Sequence, residues 1–141
     1  MTRHEEREQI ISLLYEYTYY EGATPNDFIS SREEMNETVY PKFVKEAFLG
    51  VSSAKEQIDR DIAAHSVGWK VNRMSRITRS ILRLAVYEMN FTETPPKVVI
   101  NEALELAKAY DDGKAPGFIN GILNNFARAE GKIKNFDDAN E

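Results

Sequence analysis

Arg76, Arg79 and Arg83 stand at i, i+3 and i+7, a spacing that lines three guanidinium groups along one face of a helix. Their chemistry suits phosphate: the rigid donor fork pairs with phosphate oxygens, and the guanidinium plane stacks on bases. They lie in a longer basic stretch, Trp69 to Leu84, that also holds Lys70 and Arg73 and no acid. The competing reading is that these arginines pair with acids on neighbouring helices, for example the glutamates of the first helix. Arg83 fits that reading best, because its flanks Leu82 and Leu84 draw it toward partial burial, where an arginine is usually paired internally. Single-stranded RNA binding also needs flat side chains on which bases stack, and Tyr15 and Phe118 are candidates, although each also fits a core position. Tyr17, Tyr19 and Tyr20 surround Tyr15, more aromatic surface than one helix face can bury.

Catalytic chemistry finds little support. The chain has no cysteine, so a disulfide framework, a thiolate zinc site and a cysteine nucleophile are all excluded. His4 and His65 are its two histidines, they fall on different helices, and neither belongs to a ligand-spaced cluster. Glu102 and Glu105 read as a solvated helix face rather than an acid/base pair, since active sites need burial to shift a pKa. Gly113, Gly117 and Gly121 lack the pattern of a phosphate loop. No enzyme, metal or cofactor is expected.

The elements that must position these residues are helical throughout. Thr2-Arg3-His4-Glu5 has the form of a capping box, and Ile10, Ile11, Leu13, Leu14 and Tyr17 recur at helical spacing, so a first helix runs to about Gly22. A polar connection follows, in which Phe28 and Ile29 could begin a short helix; no element is assigned through Glu37. From Pro41, Phe43, Val44, Ala47, Phe48, Val51, Ile58 and Ile62 mark one long helix to about His65, with a possible bend at Gly50. Beyond Gly68 and the packing residue Trp69, Ser75 or Thr78 caps a helix whose segment Ile81 to Tyr87 is apolar around its circumference, so it is central. Pro96 opens a helix to Tyr110 with Val98, Val99, Ala103, Leu106 and Ala107 inward. A last helix holds Phe118, Ile119, Ile122, Leu123 and Phe126. The fold class is all-α, a compact bundle of about six or seven helices in two packed sub-bundles joined near Gly22–Glu37 or at Gly68, with residues 1–131 as one domain and 132–141 as a polar tail.

The 141 residues suit one domain with a real core, and the net charge is −5, which argues against coating nucleic acid through bulk charge. The polar start is no signal peptide and the apolar runs are far short of a bilayer span, so a cytoplasmic location is expected.

Several ordered segments resemble a known family: Arg7-Glu8 with Leu14-Tyr15, the run Arg79 to Met89 containing I-L-R-L-A-V-Y-E, the run Pro96 to Lys108 containing V-I-N-E-A-L-E-L-A-K, and Phe118 to Leu123, F-I-N-G-I-L. Together they are similar to the NusB transcription antitermination family, most closely from Trp69 to Phe126. The resemblance implies a partner, the ribosomal protein NusE, with which the chain would hold boxA-type single-stranded nascent RNA, mainly of ribosomal RNA operons, and help an elongating RNA polymerase resist termination. It carries RNA contacts onto Arg3, His4, Arg7, Tyr15, Arg76, Arg79, Lys114 and Phe118, and it leaves monomer or homodimer open. Where the family often has consecutive arginines this chain has Arg3-His4-Glu5-Glu6, which sets two acids beside the phosphate path. Two other readings stand beside this one: a helical adaptor that binds only protein, and the RNA-targeting module of a ribosomal RNA cytosine methyltransferase, for which the sequence holds no methyltransferase segment.

Overall fold

The computed structural model describes residues 1–20, 22–66, 70–110 and 113–132. Gly68, Trp69 and the tail from residue 133 therefore lie outside the described residues. The described chain forms seven α-helices and one short 3-10 turn at Val71–Arg73: α1 (Arg3–Tyr17), α2 (Pro25–Met35), α3 (Lys42–Ser53), α4 (Lys55–His65), α5 (Arg76–Phe91), α6 (Pro96–Tyr110) and α7 (Ala115–Ala129). Caps written in the sequence start three of them. Thr2 and Glu5 close the predicted capping box on α1, Thr24 accepts from the Asp27 amide ahead of Pro25 on α2, and Ser75 accepts from the Thr78 amide on α5. Each satisfies amide protons that a helix start leaves without partners.

Helix α5 packs against α1, α3, α4, α6 and α7, the central position its apolar circumference predicts. One group, α1 to α3, lies on one side of it, and α4, α6 and α7 lie on the other. The apolar core runs continuously through both, so the two sub-bundles share a helix instead of meeting at a linker, and the chain crosses between them at Ala54.

Four expectations are corrected. Helix α1 stops at Tyr17, short of Gly22, because Thr18 folds its hydroxyl back onto the Tyr15 carbonyl and the next amides make tightened i→i−3 bonds. The segment left without an element is a regular helix, α2, whose Phe28 and Ile29 are buried. The long helix from Pro41 to His65 is two helices, broken at Ala54 and not bent at Gly50. Gly50 serves packing: a Cβ there would sit 2.8 Å from Cζ and Oη of Tyr87, so the glycine lets α3 and α5 approach closely. Finally, Val98 is exposed because it lies in the first turn of α6, outside the buried stripe.

Candidate nucleic-acid interface

Helix α1 sorts its polar residues by azimuth. At about 100° per residue, His4, Glu8, Ser12, Tyr15 and Tyr19 fall on one face, while Arg3 and Arg7 turn away from it.

Tyr15 is 36% exposed and Tyr19, just past the helix end, 57%. Their rings meet edge to face with centroids 5.6 Å apart, and their hydroxyls are 3.3 Å apart. That hydrogen bond, before any effect of burial, raises the pKa of Tyr15 above the ordinary phenol value. Arg76 at the start of α5 lays its guanidinium 4.2 Å from the centroid of Tyr19 and donates from Nη1 to the Thr18 carbonyl at 3.0 Å. One cation thereby satisfies a carbonyl left over at the end of α1 and holds Tyr19 by cation–π attraction. Among the described residues Arg76 pairs with no carboxylate, against the reading that would lock it into an internal ion pair. Ser12, Tyr15, Tyr19, Arg76 and Tyr110, the last 42% exposed at the end of α6, line an open hollow of about 650 Å³ together with one acid, Glu16, which is paired with Arg32. A second groove of about 530 Å³ continues from Tyr15 and Tyr19 between α1 and α2, past Tyr20 and Tyr40. There Arg32 lies over the rings of Tyr20 and Phe28 and pairs with Glu16 at 2.8 Å. Chemically the surface offers exposed ring faces next to guanidinium donors, the combination that stacks bases and holds phosphates.

The other proposed contacts are not all brought here. Arg7 is 4% exposed and donates from Nε and Nη2 to both oxygens of Glu88 at 2.9 and 2.8 Å, with Glu102 3.7 Å from Nη1. Burial works against its charge, but the hydrogen bonds and field of Glu88 outweigh that, and its pKa is raised. A guanidinium held in this way turns its donors inward, so the structure does not bring Arg7 to the tyrosine surface. Arg3 turns toward α3, over the Phe43 ring at 3.9 Å and 3.6 Å from Glu6. His4 shares the Tyr15 face, but Nδ1 is 2.8 Å from Glu102 and Nε2 3.8 Å from Glu8. A phosphate there would meet carboxylates first. Arg83 is paired in both forks to Asp59 on α4, at 2.8 and 2.9 Å, the internal pairing its flanks predict, with an acid of α4 and not of α1. Lys114 is exposed at the start of α7, and Phe118 is half-buried against the core. Neither lines the tyrosine hollow, although Tyr110 is only four residues before Lys114. Arg79 lines a neighbouring cleft with Arg76.

Tyr19 and Tyr110 were not singled out as site residues. The i+4 spacing from Tyr15 marks Tyr19; nothing local marks Tyr110, which reaches the hollow only because α6 ends there. Among the described residues no group of His, Asp and Glu is placed to hold a metal ion, and no helix is long and apolar enough to cross a membrane.

The hydrogen bond that His4 donates to Glu102, followed by the charge of Glu102 and those of Glu8 and Glu105, raises the pKa of His4 above 6.5 despite some desolvation. A raised folded-state pKa stabilises the fold below the unfolded value, and that contribution is lost as pH rises through the folded value. His4→Gln should therefore remove a small acid-side stabilisation, seen as urea midpoints of wild type and variant that differ at pH 5.5 and converge by pH 8.5. Midpoints that stay parallel across the range would show that the imidazole makes no such contribution.

Comparison with known proteins bears on this surface. The sequence profile of the NusB family matches residues 4–128. The transcription antitermination protein NusB of Pediococcus pentosaceus is 40% identical over 135 residues, covering 91% of this chain and 98% of its own. Among solved structures, NusB of T. maritima superposes with a TM-score of 0.78 at 28% identity, covering 96% of this chain and 99% of that one. A crystal structure of the antitermination factors NusB and NusE in complex with double-stranded RNA contains a chain that matches with a TM-score of 0.75 at 26% identity, covering 92% of this chain and 99% of its own.

Proposed function

The chain belongs to the NusB family, and from that premise we propose that it is a non-catalytic transcription antitermination adaptor that, with NusE, holds boxA-type single-stranded nascent RNA for an elongating RNA polymerase in the cytoplasm. The observation that carries the RNA part is the hollow in which Arg76 lies on Tyr19 beside Tyr15 and Tyr110. Ring faces of this kind stack on bases that are not already stacked in a duplex, which favours single strands at this site. Arg76 and Arg79 supply charge beside the rings; in this reading the RNA path extends past Tyr110 toward Lys114 and Phe118, which lie outside the hollow itself. The related complex contains NusE and double-stranded RNA, which supports both partner classes and makes strandedness a point to test. With Arg7 buried, His4 among carboxylates and an acidic chain overall, phosphate contacts are few, so the chain alone binds weakly and NusE raises the affinity.

Fluorescence anisotropy with short boxA-like RNA, single- and double-stranded, with and without NusE across a salt series, tests this. The expected result is a shallow salt dependence for the chain alone, in which each phosphate contact contributes about 0.7 to the slope, and a NusE-dependent gain largest for the single strand. An equal response to RNA and to an unrelated polyanion, unaffected by NusE, would instead support the protein-only adaptor.

A further inference from the structure

On the other side of Arg76 from the tyrosine hollow lies a cleft of about 540 Å³, walled by the end of α1, the start of α2, the α3–α4 junction and α5. Its described lining carries four cationic side chains, Lys55, Arg76, Arg79 and Arg83, and no carboxylate. Asp59 neutralises Arg83 through Nε and Nη2, and the Thr18 carbonyl takes one proton of Arg76. A guanidinium has five N–H groups and an ammonium three, so donors remain on Arg76 and Arg83 after these bonds. The hydroxyls in the wall are already committed: Tyr17 donates to the Ala23 carbonyl, Thr18 to Tyr15 and Ser52 to Phe48. What the cleft offers a ligand is therefore charged N–H donors, the requirement of an anion with several oxygens and not of a neutral polar molecule.

Lys55 adds an independent sign. It is the first residue of α4, a helix with no side-chain cap, where the helix dipole opposes a cation. For the stability of α4 alone an acid would be the better residue at this position. A lysine at this position, at the mouth of a cleft lined by arginines, is suited to meeting an anion.

We propose that this cleft binds a phosphate group, with Lys55 at its mouth, Arg79 in its wall and Arg76 as the wall it shares with the tyrosine hollow. Because Arg76 belongs to both depressions, a strand with a base on Tyr19 can place a neighbouring phosphate in the cleft. The proposal rests on the RNA reading only for which molecule carries the phosphate; the cleft itself would serve a free phosphate equally.

The test uses the full chain, two probes and two variants. Lys55→Glu places an acid where the dipole favours one, so the fold should be kept, as thermal unfolding would verify. Tyr15→Ala alters the hollow but not the cleft. Inorganic pyrophosphate is titrated by amide NMR, and labelled single-stranded RNA by anisotropy across a salt series. We expect pyrophosphate to shift amides around Lys55 and Arg79 in wild type and Tyr15→Ala but not in Lys55→Glu. Lys55→Glu should also weaken RNA binding by about three- to tenfold at low salt and reduce the salt slope by about 0.7, the loss of one phosphate contact, whereas Tyr15→Ala leaves the slope unchanged. A pyrophosphate response with no RNA binding by wild type would assign the cleft to a free phosphate and sink the RNA reading. An RNA response to Lys55→Glu without pyrophosphate binding would assign it to the strand. RNA and pyrophosphate titrations that are the same for Lys55→Glu and wild type overturn the cleft, and the RNA reading then stands or falls on Tyr15→Ala alone.

Discussion

Glu88→Ala is expected to lower stability by about 3–5 kcal/mol, the cost of leaving one member of a buried ion pair without its partner. Glu88 is 1% exposed and receives two hydrogen bonds from Arg7, itself 4% exposed. Taking the carboxylate away strands a guanidinium between α1 and α5, with Glu102 3.7 Å from Nη1 and the charge of Glu6 as weaker compensation. For a chain of this size the loss corresponds to a fall in Tm of roughly 10–20 °C. Arg7→Met should cost a similar amount, because the carboxylate is then the stranded charge. Combining Arg7→Met with Glu88→Leu removes both charges and fills the space with apolar atoms, so the double variant should recover most of the loss. Urea unfolding of wild type, Arg7→Met, Glu88→Leu and the double variant gives the cycle. Additive losses would show that the two residues contribute separately and that the pair is not the unit. The double variant also reports on function: with Arg7 turned inward it should bind RNA as wild type does, whereas a large drop would return Arg7 to the RNA surface.

The second large effect is on binding. Tyr15→Ala removes an exposed ring from the wall of the hollow, and loss of one base-stacking platform is worth about 1–3 kcal/mol, or roughly a 5- to 150-fold weaker Kd. Stability should change far less than in the ion-pair variants, since Tyr15 is 36% exposed and its ring packs edge to face on the still more exposed Tyr19. Tyr15→Phe keeps the ring and loses only the hydroxyl contact to Tyr19, so it should stay near wild type. Anisotropy at a single moderate salt concentration separates the two. If Tyr15→Ala binds like wild type while its melting temperature falls, the ring is a packing element and the hollow is not where bases sit. If phenylalanine loses as much as alanine, the hydroxyl and not the ring face is the contact.

These two expectations concern residues on one helix, and their contrast shows what was legible. The capping box at Thr2 and Glu5 and the apolar circumference of α5 could be read directly from the chain, and each is realised, while of the two cap candidates on α5 the structure uses Ser75. The internal pairing of Arg83 was legible too, from its leucine neighbours. Helix α2 was missed because a charged run from Arg32 to Glu37 hides the two buried residues, Phe28 and Ile29, that dock it. The break at Ala54 was missed because apolar spacing continues across it, and the stop depends on how α3 and α4 each pack on α5.

Helix starts, buried stripes and family membership are written in interactions among residues a few positions apart, so the amino-acid order alone determines them. Whether a cation is spent inside or offered outside is decided by what stands across from it. Arg7 and Tyr15 lie about 80° apart around α1, and the partner that claims Arg7 comes from 81 positions away. Lys55 and Tyr110 come to opposite sides of Arg76 near the end of α1 only once four helices have packed. Long-range pairing of this kind leaves no local periodicity, and tertiary structure alone sorts the arginines into struts and contacts.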